Sequence, residues 1–128
     1  IIARGLLATV TVESREKLGL ARRLRQEIDF LLSLDSLYAP AHFALGKWHL
    51  SLSKLSWVQQ MACKLAGGLP EPPSLEQALR CFDQSIQLQP NNILFHYNKA
   101  LALVEMGRAT QALPVILTAM ELPILGLD

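Results

Sequence analysis

Three histidines and two cysteines are the side chains of this 128-residue chain that could ligate a metal ion or attack a substrate. His42 and His49 are seven residues apart, two turns of a helix, and no Cys, Asp or Glu joins them at the spacing of a metal site. Cys63 and Cys81 belong to no CxxC pair, so we interpret them as reduced, structural cysteines. These residues predict no metal ion and no cofactor.

The sequence also lacks the signatures of common enzymes. It contains no nucleophile-elbow glycine pattern, no phosphate-binding glycine loop and no HExxH motif. We interpret Gly67 and Gly68 as a helix stop. Arg22, Arg23 and Arg25 form a basic cluster that neighbouring acidic residues dilute, so we expect a solvated helix face. The sequence therefore predicts a protein without catalytic activity.

Composition bounds the class of protein further. Hydrophobic residues make up 51% of the chain and charged residues 18%, which excludes a disordered chain, and the net charge of +1 gives no reason to expect nucleic acid as a partner. No uncharged apolar run is long enough to cross a membrane. The chain begins at Ile1 inside an apolar stretch, so we interpret it as a fragment or processed product. The two cysteines only weakly favour a reducing compartment, so the sequence leaves the localisation open: the cytoplasm is slightly preferred, and a membrane-associated or periplasmic location is the alternative.

Apolar residues recur at helical spacing almost throughout, so we predict an all-α fold of about six helices. Ser74 and Gln77 form a capping box, and Gly107 is a left-handed cap. After a first helix near the amino end, the predicted helices cover 14–34, 40–65, 75–89, 92–106 and 108–121.

An internal repeat is the strongest signal. Ala78, Phe82 and Ser85 match Ala112, Ile116 and Ala119 at a separation of 34 residues. A 34-residue period of two antiparallel helices is typical of tetratricopeptide repeats. Small residues seven apart on one face let paired helices cross closely.

The middle repeat is longer than an ordinary tetratricopeptide repeat. Gly46 and Ala78 are 32 residues apart where an ordinary repeat needs about 12. We therefore predict one domain with a first hairpin at 1–38, a middle repeat at 39–90 with an insertion at about 50–73, and a last repeat at 91–124. The helical pattern continues through Trp57, so the insertion is expected to lengthen the helix that begins at Pro40.

Three short motifs resemble a known family: Leu45-Gly46-Lys47-Trp48, then Leu55-Ser56-Trp57, then Gly67-Gly68-Leu69-Pro70 with the restart at 74–78. This pattern is similar to the regulator of microtubule dynamics family and its bacterial relatives. The resemblance covers residues 39–122 and implies a tetratricopeptide domain with an extended helix at this point. It also implies a link to microtubules in animal members.

Tetratricopeptide proteins bind partners on the concave face, which the first helices of the repeats line. The repeat register predicts these binding positions: Phe43, Lys47, Leu50, Leu94, Tyr97, Asn98, Leu101 and Glu105. We expect an adaptor or scaffold that binds a peptide or helix in an apolar groove there. A carboxylate clamp is disfavoured because its paired cations are missing. In a structural interpretation, the same residues pack on a neighbouring helix or a missing repeat.

Segment 36–70 carries three lysines and no acid. Lys54 and Trp57 are therefore candidates for contact with an anionic membrane or an acidic partner, and a lipid or other apolar-ligand module is the alternative function. The structural interpretation is that Trp48 and Trp57 both anchor the extension. Residues 113–127 are apolar on more than one face, which predicts that this edge contacts another subunit, a partner or absent sequence; self-association through the last helix is the first of these alternatives.

Overall fold

The computed structural model describes the backbone of residues 2–123 and the side chains of residue 13 and residues 15–123. Within these residues the chain forms six α-helices and no strand. The helices are α1 (Ile2–Leu34), α2 (Ala39–Ser53), α3 (Trp57–Leu65), α4 (Leu75–Leu88), α5 (Ile93–Glu105) and α6 (Ala109–Glu121). The predicted all-α class is confirmed. Among the described residues no helix has the length and apolar character that a membrane crossing requires.

The first 38 residues do not form the predicted hairpin. α1 is one continuous helix of 33 residues, and Ser14, which was expected to cap a second helix, lies inside it. Proline is absent from residues 2–34, so nothing interrupts the backbone hydrogen bonds and turns the chain back on itself. The prediction of two helices before Asp35 is therefore wrong.

The predicted long helix from Pro40 to Leu65 is also wrong, because it is divided between α2 and α3. Ser56 ends the connection as the N-cap of α3: its Oγ accepts a hydrogen bond from the Gln59 amide at 3.2 Å. Gln59 Oε1 accepts one from the Ser56 amide at 3.0 Å. This reciprocal capping box starts a new helix inside an apolar pattern that looks uninterrupted.

The helices stack in antiparallel hairpins, with α2 against α4, α4 against α5 and α5 against α6. The small residues predicted to permit close crossing are buried: Ala78, Ser85, Ala112 and Ala119. α1 packs against α2, and the inserted α3 packs back against α1. The inserted α3 thus contacts α1, and α2 still packs directly against α4.

Local signals define the ends of the last three helices. Ser74 Oγ accepts a hydrogen bond from the Gln77 amide at 3.2 Å at the start of α4. Gly107 has a φ of +77° between α5 and α6, so the predicted left-handed cap is confirmed. Gly67 and Gly68 also have positive φ after α3.

Candidate partner-binding surface

Two polar contacts join α2 to α5. Lys47 Nζ donates to Asn98 Oδ1 at 3.1 Å, and Lys54 Nζ lies 3.8 Å from Glu105 Oε1. Along each helix the two residues are seven apart, so α2 and α5 run side by side in the same direction. The structure thus brings Lys47 close to Asn98 and Lys54 close to Glu105; of these four, Lys54 alone was not among the predicted concave-face residues.

The eight predicted binding residues differ in accessibility. Lys47, Leu94, Tyr97 and Glu105 are exposed, and Phe43 and Leu101 are half-buried. Leu50 is only 2% exposed and packs in a core cluster with Phe82, so a partner cannot reach it. Leu50 is therefore removed from the candidate surface, because α4 covers the side of α2 from which it projects.

Asn98 is buried, and both ends of its amide are hydrogen-bonded within the protein. Its Oδ1 accepts from Lys47, and its Nδ2 donates to the Leu94 carbonyl oxygen at 2.8 Å. A buried amide with both ends satisfied is not available to a peptide backbone. Asn98 therefore positions Lys47 rather than offering itself to a ligand.

Phe43 belongs to an aromatic cluster between three helices. Its ring centroid lies 5.7 Å from that of Phe82 on α4 and 4.9 Å from that of Phe95 on α5. These tilted contacts pack the half-buried ring against the edge of the core.

An apolar groove of about 630 Å³ lies between α5 and α6. We call it the α5/α6 groove, and it is lined by Ile93, Leu94, Tyr97, Ile116, Ala119, Met120 and Leu122. Tyr97 is 54% exposed there. Of the predicted binding residues, Leu94 and Tyr97 line this groove.

A second apolar groove of about 600 Å³ lies between α1 and α2. We call it the α1/α2 groove, and it is lined by Lys17, Leu20, Ala21, Leu24, Phe43, Ala44, Lys47, Trp48, Ser51, Leu52 and Leu55. Leu20 and Leu24 are both more than half exposed. Sequence reasoning missed this groove because α1 was assigned to a hairpin.

α6 carries further exposed apolar side chains, namely Leu113, Leu117 and Met120. The part of the predicted self-association edge beyond Pro123 lies outside the described residues. Self-association through this helix stays a prediction.

Two arginines of α1 hold the loop that returns from the insertion. Arg22 donates to the Gly68 carbonyl oxygen from Nε at 3.1 Å and from Nη2 at 2.6 Å. Arg25 donates to Glu71 in the same loop and to Asp29 on its own helix. The predicted solvated face is therefore wrong for Arg22 and Arg25.

His49 of α2 contacts the same loop. We call Arg22, Arg25 and His49, together with the loop residues Gly68, Glu71 and Ser74 that they contact, the latch. The Nδ1 of His49 accepts a hydrogen bond from the Ser74 amide at 3.1 Å, and its Nε2 lies 3.1 Å from Glu71 Oε1. Burial lowers the pKa of His49 below its ordinary value, and the nearby carboxylate of Glu71 opposes that effect in part. Both ring nitrogens thus make contacts within the protein, a structural role that the sequence did not reveal.

The two tryptophans have opposite environments. Trp48 is buried, its Nε1 donates to the Ala21 carbonyl oxygen at 2.9 Å, and the Arg25 guanidinium lies 5.1 Å from the ring centroid. Trp57 is 74% exposed, so the expectation that both tryptophans act as anchors is wrong for this one. Trp57 begins a stripe on α3 that continues through Met61 and Leu65, both exposed.

His42 and His96 lie 54 residues apart and make the same contact. The Nε2 of His42 lies 2.7 Å from the Ser36 carbonyl oxygen, and the Nε2 of His96 lies 2.7 Å from that of Pro90. Each histidine ties the start of a first helix to the end of the helix before it. The separation equals the 34-residue period plus an insertion of about 20 residues. Within the described residues no three His, Cys, Asp or Glu side chains come together as metal ligands.

Comparison with known proteins identifies the family. Residues 2–128 match the family model described as Regulator of microtubule dynamics protein 1-3. The chain is 28% identical over 117 residues to Regulator of microtubule dynamics protein 3 of Bos taurus, a match that covers 82% of this chain and 24% of the bovine protein.

A shorter stretch of 46 residues is 39% identical to the Hsp70-Hsp90 organising protein of Plasmodium falciparum (isolate 3D7), covering 36% of this chain and 8% of that protein. The chain therefore spans about a quarter or less of the length of these relatives. Because the family model matches nearly all of its residues, the chain belongs to the regulator of microtubule dynamics family.

Proposed function

We propose that this chain is a tetratricopeptide-type module that has no catalytic activity and binds a segment of a protein partner on the face formed by α2 and α5. The equal contacts of His42 and His96 support the repeat, and so does the burial of the paired small residues on α4 and α6. The 46-residue similarity to a co-chaperone organising protein is in keeping with an adaptor. Regulation of microtubule dynamics appears in the name of a longer relative. For the present chain we propose only the binding of a protein segment.

One observation carries this proposal: the polar contacts between α2 and α5 lie next to exposed apolar residues of α5. Lys47 and Lys54 on one helix meet Asn98 and Glu105 on the other. Tyr97, next to Asn98, is exposed at the α5/α6 groove. A face with fixed polar groups and an adjoining apolar groove offers a peptide both orientation and buried area.

Affinity capture with the immobilised chain tests the proposal. A Tyr97→Ala/Leu101→Ala variant should lose captured partners, while a Val58→Ala/Leu65→Ala variant on exposed α3 should retain them. Because Leu101 is half-buried, Leu94→Ala/Tyr97→Ala provides a second variant restricted to exposed side chains. Equal capture by wild type and by both variants of the face would contradict the proposal.

The exposed stripe on α3 supports a second candidate function, attachment to an anionic membrane surface. Trp57, Met61 and Leu65 project from one side of this short helix, and Lys54 and Lys64 lie nearby on an acid-free segment. Exposed apolar side chains beside lysines are typical of helices that lie in the membrane interface.

Sedimentation with phosphatidylserine-containing vesicles tests this second function. Binding should fall when salt is raised, because screening weakens the electrostatic contribution. It should be lost in Trp57→Ser/Leu65→Ser, because this variant removes the apolar contribution. The Leu94→Ala/Tyr97→Ala variant is the control that should bind vesicles as wild type does.

A further inference from the structure

The α1/α2 groove has a counterpart one repeat later in the same molecule. The separation of 54 residues between His42 and His96 sets the register between the two repeats. In this register, four residues of the groove (Ala21, Leu24, Lys47 and Trp48) correspond to Leu75, Ala78, Leu101 and Ala102. α1 therefore stands in the position of α4, and α2 stands in the position of α5.

The counterpart groove, between α4 and α5, is filled by a helix. Leu75, Ala78, Leu101 and Ala102 form one core cluster with Leu50 of α2, which covers them. Ala78 is 0% exposed in that cluster, whereas Leu24, its counterpart, is 51% exposed. The α1/α2 groove therefore occupies the position that α2 fills one repeat later.

The charged residues of the α1/α2 groove indicate the chemistry of a helix that could bind there. Lys17 on α1 and Lys47 on α2 are the charged groups among the described residues that line the groove, and no carboxylate lines it. Both lysines are exposed residues, and Lys47 Nζ donates to a neutral partner, Asn98. An incoming helix gains favourable contacts at both edges if it carries carboxylates beside its apolar stripe.

We propose that the α1/α2 groove binds an α-helical segment of a partner protein whose apolar stripe packs on Leu20, Leu24 and Trp48 and whose carboxylates contact Lys17 and Lys47. This proposal goes beyond the proposed function, because it assigns a second binding surface, the α1/α2 groove, and the chemistry of the partner that this groove takes. The wall has Leu24 where the filled groove has alanine. The incoming helix therefore carries a small residue at the point of closest approach, as α2 carries Gly46 against Phe82.

Two synthetic 18-residue peptides test the proposal directly. Both carry the same leucine and alanine stripe, and the positions beside the stripe are all glutamate in one peptide and all lysine in the other. Titration into the full chain with the Trp57→Phe substitution makes Trp48, in the groove wall, the fluorescent reporter. We expect the acidic peptide to bind at least tenfold more tightly than the basic peptide at low salt, with the difference shrinking as salt is added.

Charge reversal provides the decisive comparison. Lys17→Glu/Lys47→Glu should reverse the preference of the groove, and Lys17→Glu alone, on a side chain without an ion pair among the described residues, should abolish it. Lys64→Glu/Arg80→Glu carries the same change in net charge on two exposed residues outside the groove and should keep the wild-type preference. Circular dichroism of each variant establishes that it remains folded.

Several results would overturn the proposal: no binding of either peptide, equal affinity for both, or an unchanged preference after charge reversal in folded protein. A concentration-dependent dimer that Leu24→Glu converts to monomer would also overturn it, because a second copy then fills the groove. If affinity capture is lost on Leu94→Ala/Tyr97→Ala but the peptide preference fails, the proposed function stands and the groove assignment falls.

Discussion

Gly46 on α2 and Phe82 on α4 are in such close contact that a Cβ atom at Gly46 would lie 2.6 Å from Cε1 of the phenylalanine ring. Phe82 is completely buried and also contacts Phe43. The ring therefore has no free direction in which to move. The glycine sets the distance between the two helices of the middle hairpin.

We expect Gly46→Ala to lower the free energy of unfolding by about 1–3 kcal/mol, because the added methyl group overpacks the contact with Phe82. Gly19→Ala is the matched control. Gly19 also lies inside a helix, but nothing is within 4 Å of its added Cβ, so alanine should raise stability by about 0.4–1 kcal/mol. Urea unfolding followed by circular dichroism measures both, and equal effects of the two substitutions would contradict this account.

The stability of the latch should depend on pH through His49. Burial lowers the pKa of His49 in the folded chain below its ordinary 6.5, against the opposing influence of Glu71 and with a smaller lowering contribution from Arg25. The unfolded chain therefore binds a proton more readily than the folded chain. Stability is fully present above about pH 6.5 and falls as the pH drops below that value.

Protonation at Nδ1 would also place a second donor against the Ser74 amide and break that hydrogen bond. In His49→Asn the amide oxygen can still accept from Ser74 without titrating. We expect its free energy of unfolding to vary less between pH 5 and pH 7 than that of wild type. Urea unfolding at four pH values provides the measurement, and parallel curves would show that His49 is not the group responsible.

Substitution of the two tryptophans should separate the buried from the exposed indole. Trp48→Phe loses the hydrogen bond to the Ala21 carbonyl oxygen and part of the packed area, so the free energy of unfolding should fall by about 1–3 kcal/mol. Trp57→Phe should change it by less than about 0.5 kcal/mol, since that ring is exposed. Thermal and urea unfolding would reveal a mistake in the assignment if the two variants behaved alike.

The thiol of Cys81 should resist alkylation in the folded protein. Burial raises the pKa of Cys81 to about 11, with Arg25 opposing and Glu71 adding to the increase. At pH 8 the reactive thiolate is then rarer by about a hundredfold than in an unfolded chain. The Cys63→Ala variant isolates Cys81, and iodoacetamide labelling with and without urea, followed by mass spectrometry, measures the ratio. Rapid labelling without urea would be inconsistent with the buried thiol.

Features encoded by neighbouring residues could be predicted from the sequence. Ser74 and Gly107 fix helix ends through their own hydroxyl group and their own φ angle, so α4 and α6 begin within about a residue of the expected positions. The small residues of the repeat are buried as expected because close helix crossing requires them. The all-α class could be predicted from the helical spacing of apolar residues along the chain.

Features that depend on distant partners could not be predicted. Arg22 and Arg25 find their acceptors 46 residues along the chain, and helical periodicity carries no information about such contacts. The break before Ser56 was missed because its capping box lies within an apolar pattern that fits one long helix. Leu50 was assigned to the binding face from its position along α2. The sequence does not show that α4 covers this side chain.

Because α3 packs against α1, the first helix is coupled to a segment that lies two helices later in the chain. In a solenoid each unit touches its immediate neighbours alone, and an end unit can therefore fray independently. Here a segment that belongs to the middle unit reaches forward and is pinned to the leading helix by Arg22 and Arg25. Detachment of α1 thus requires these contacts to the loop after α3 to break, so we expect α1 and this loop to unfold together.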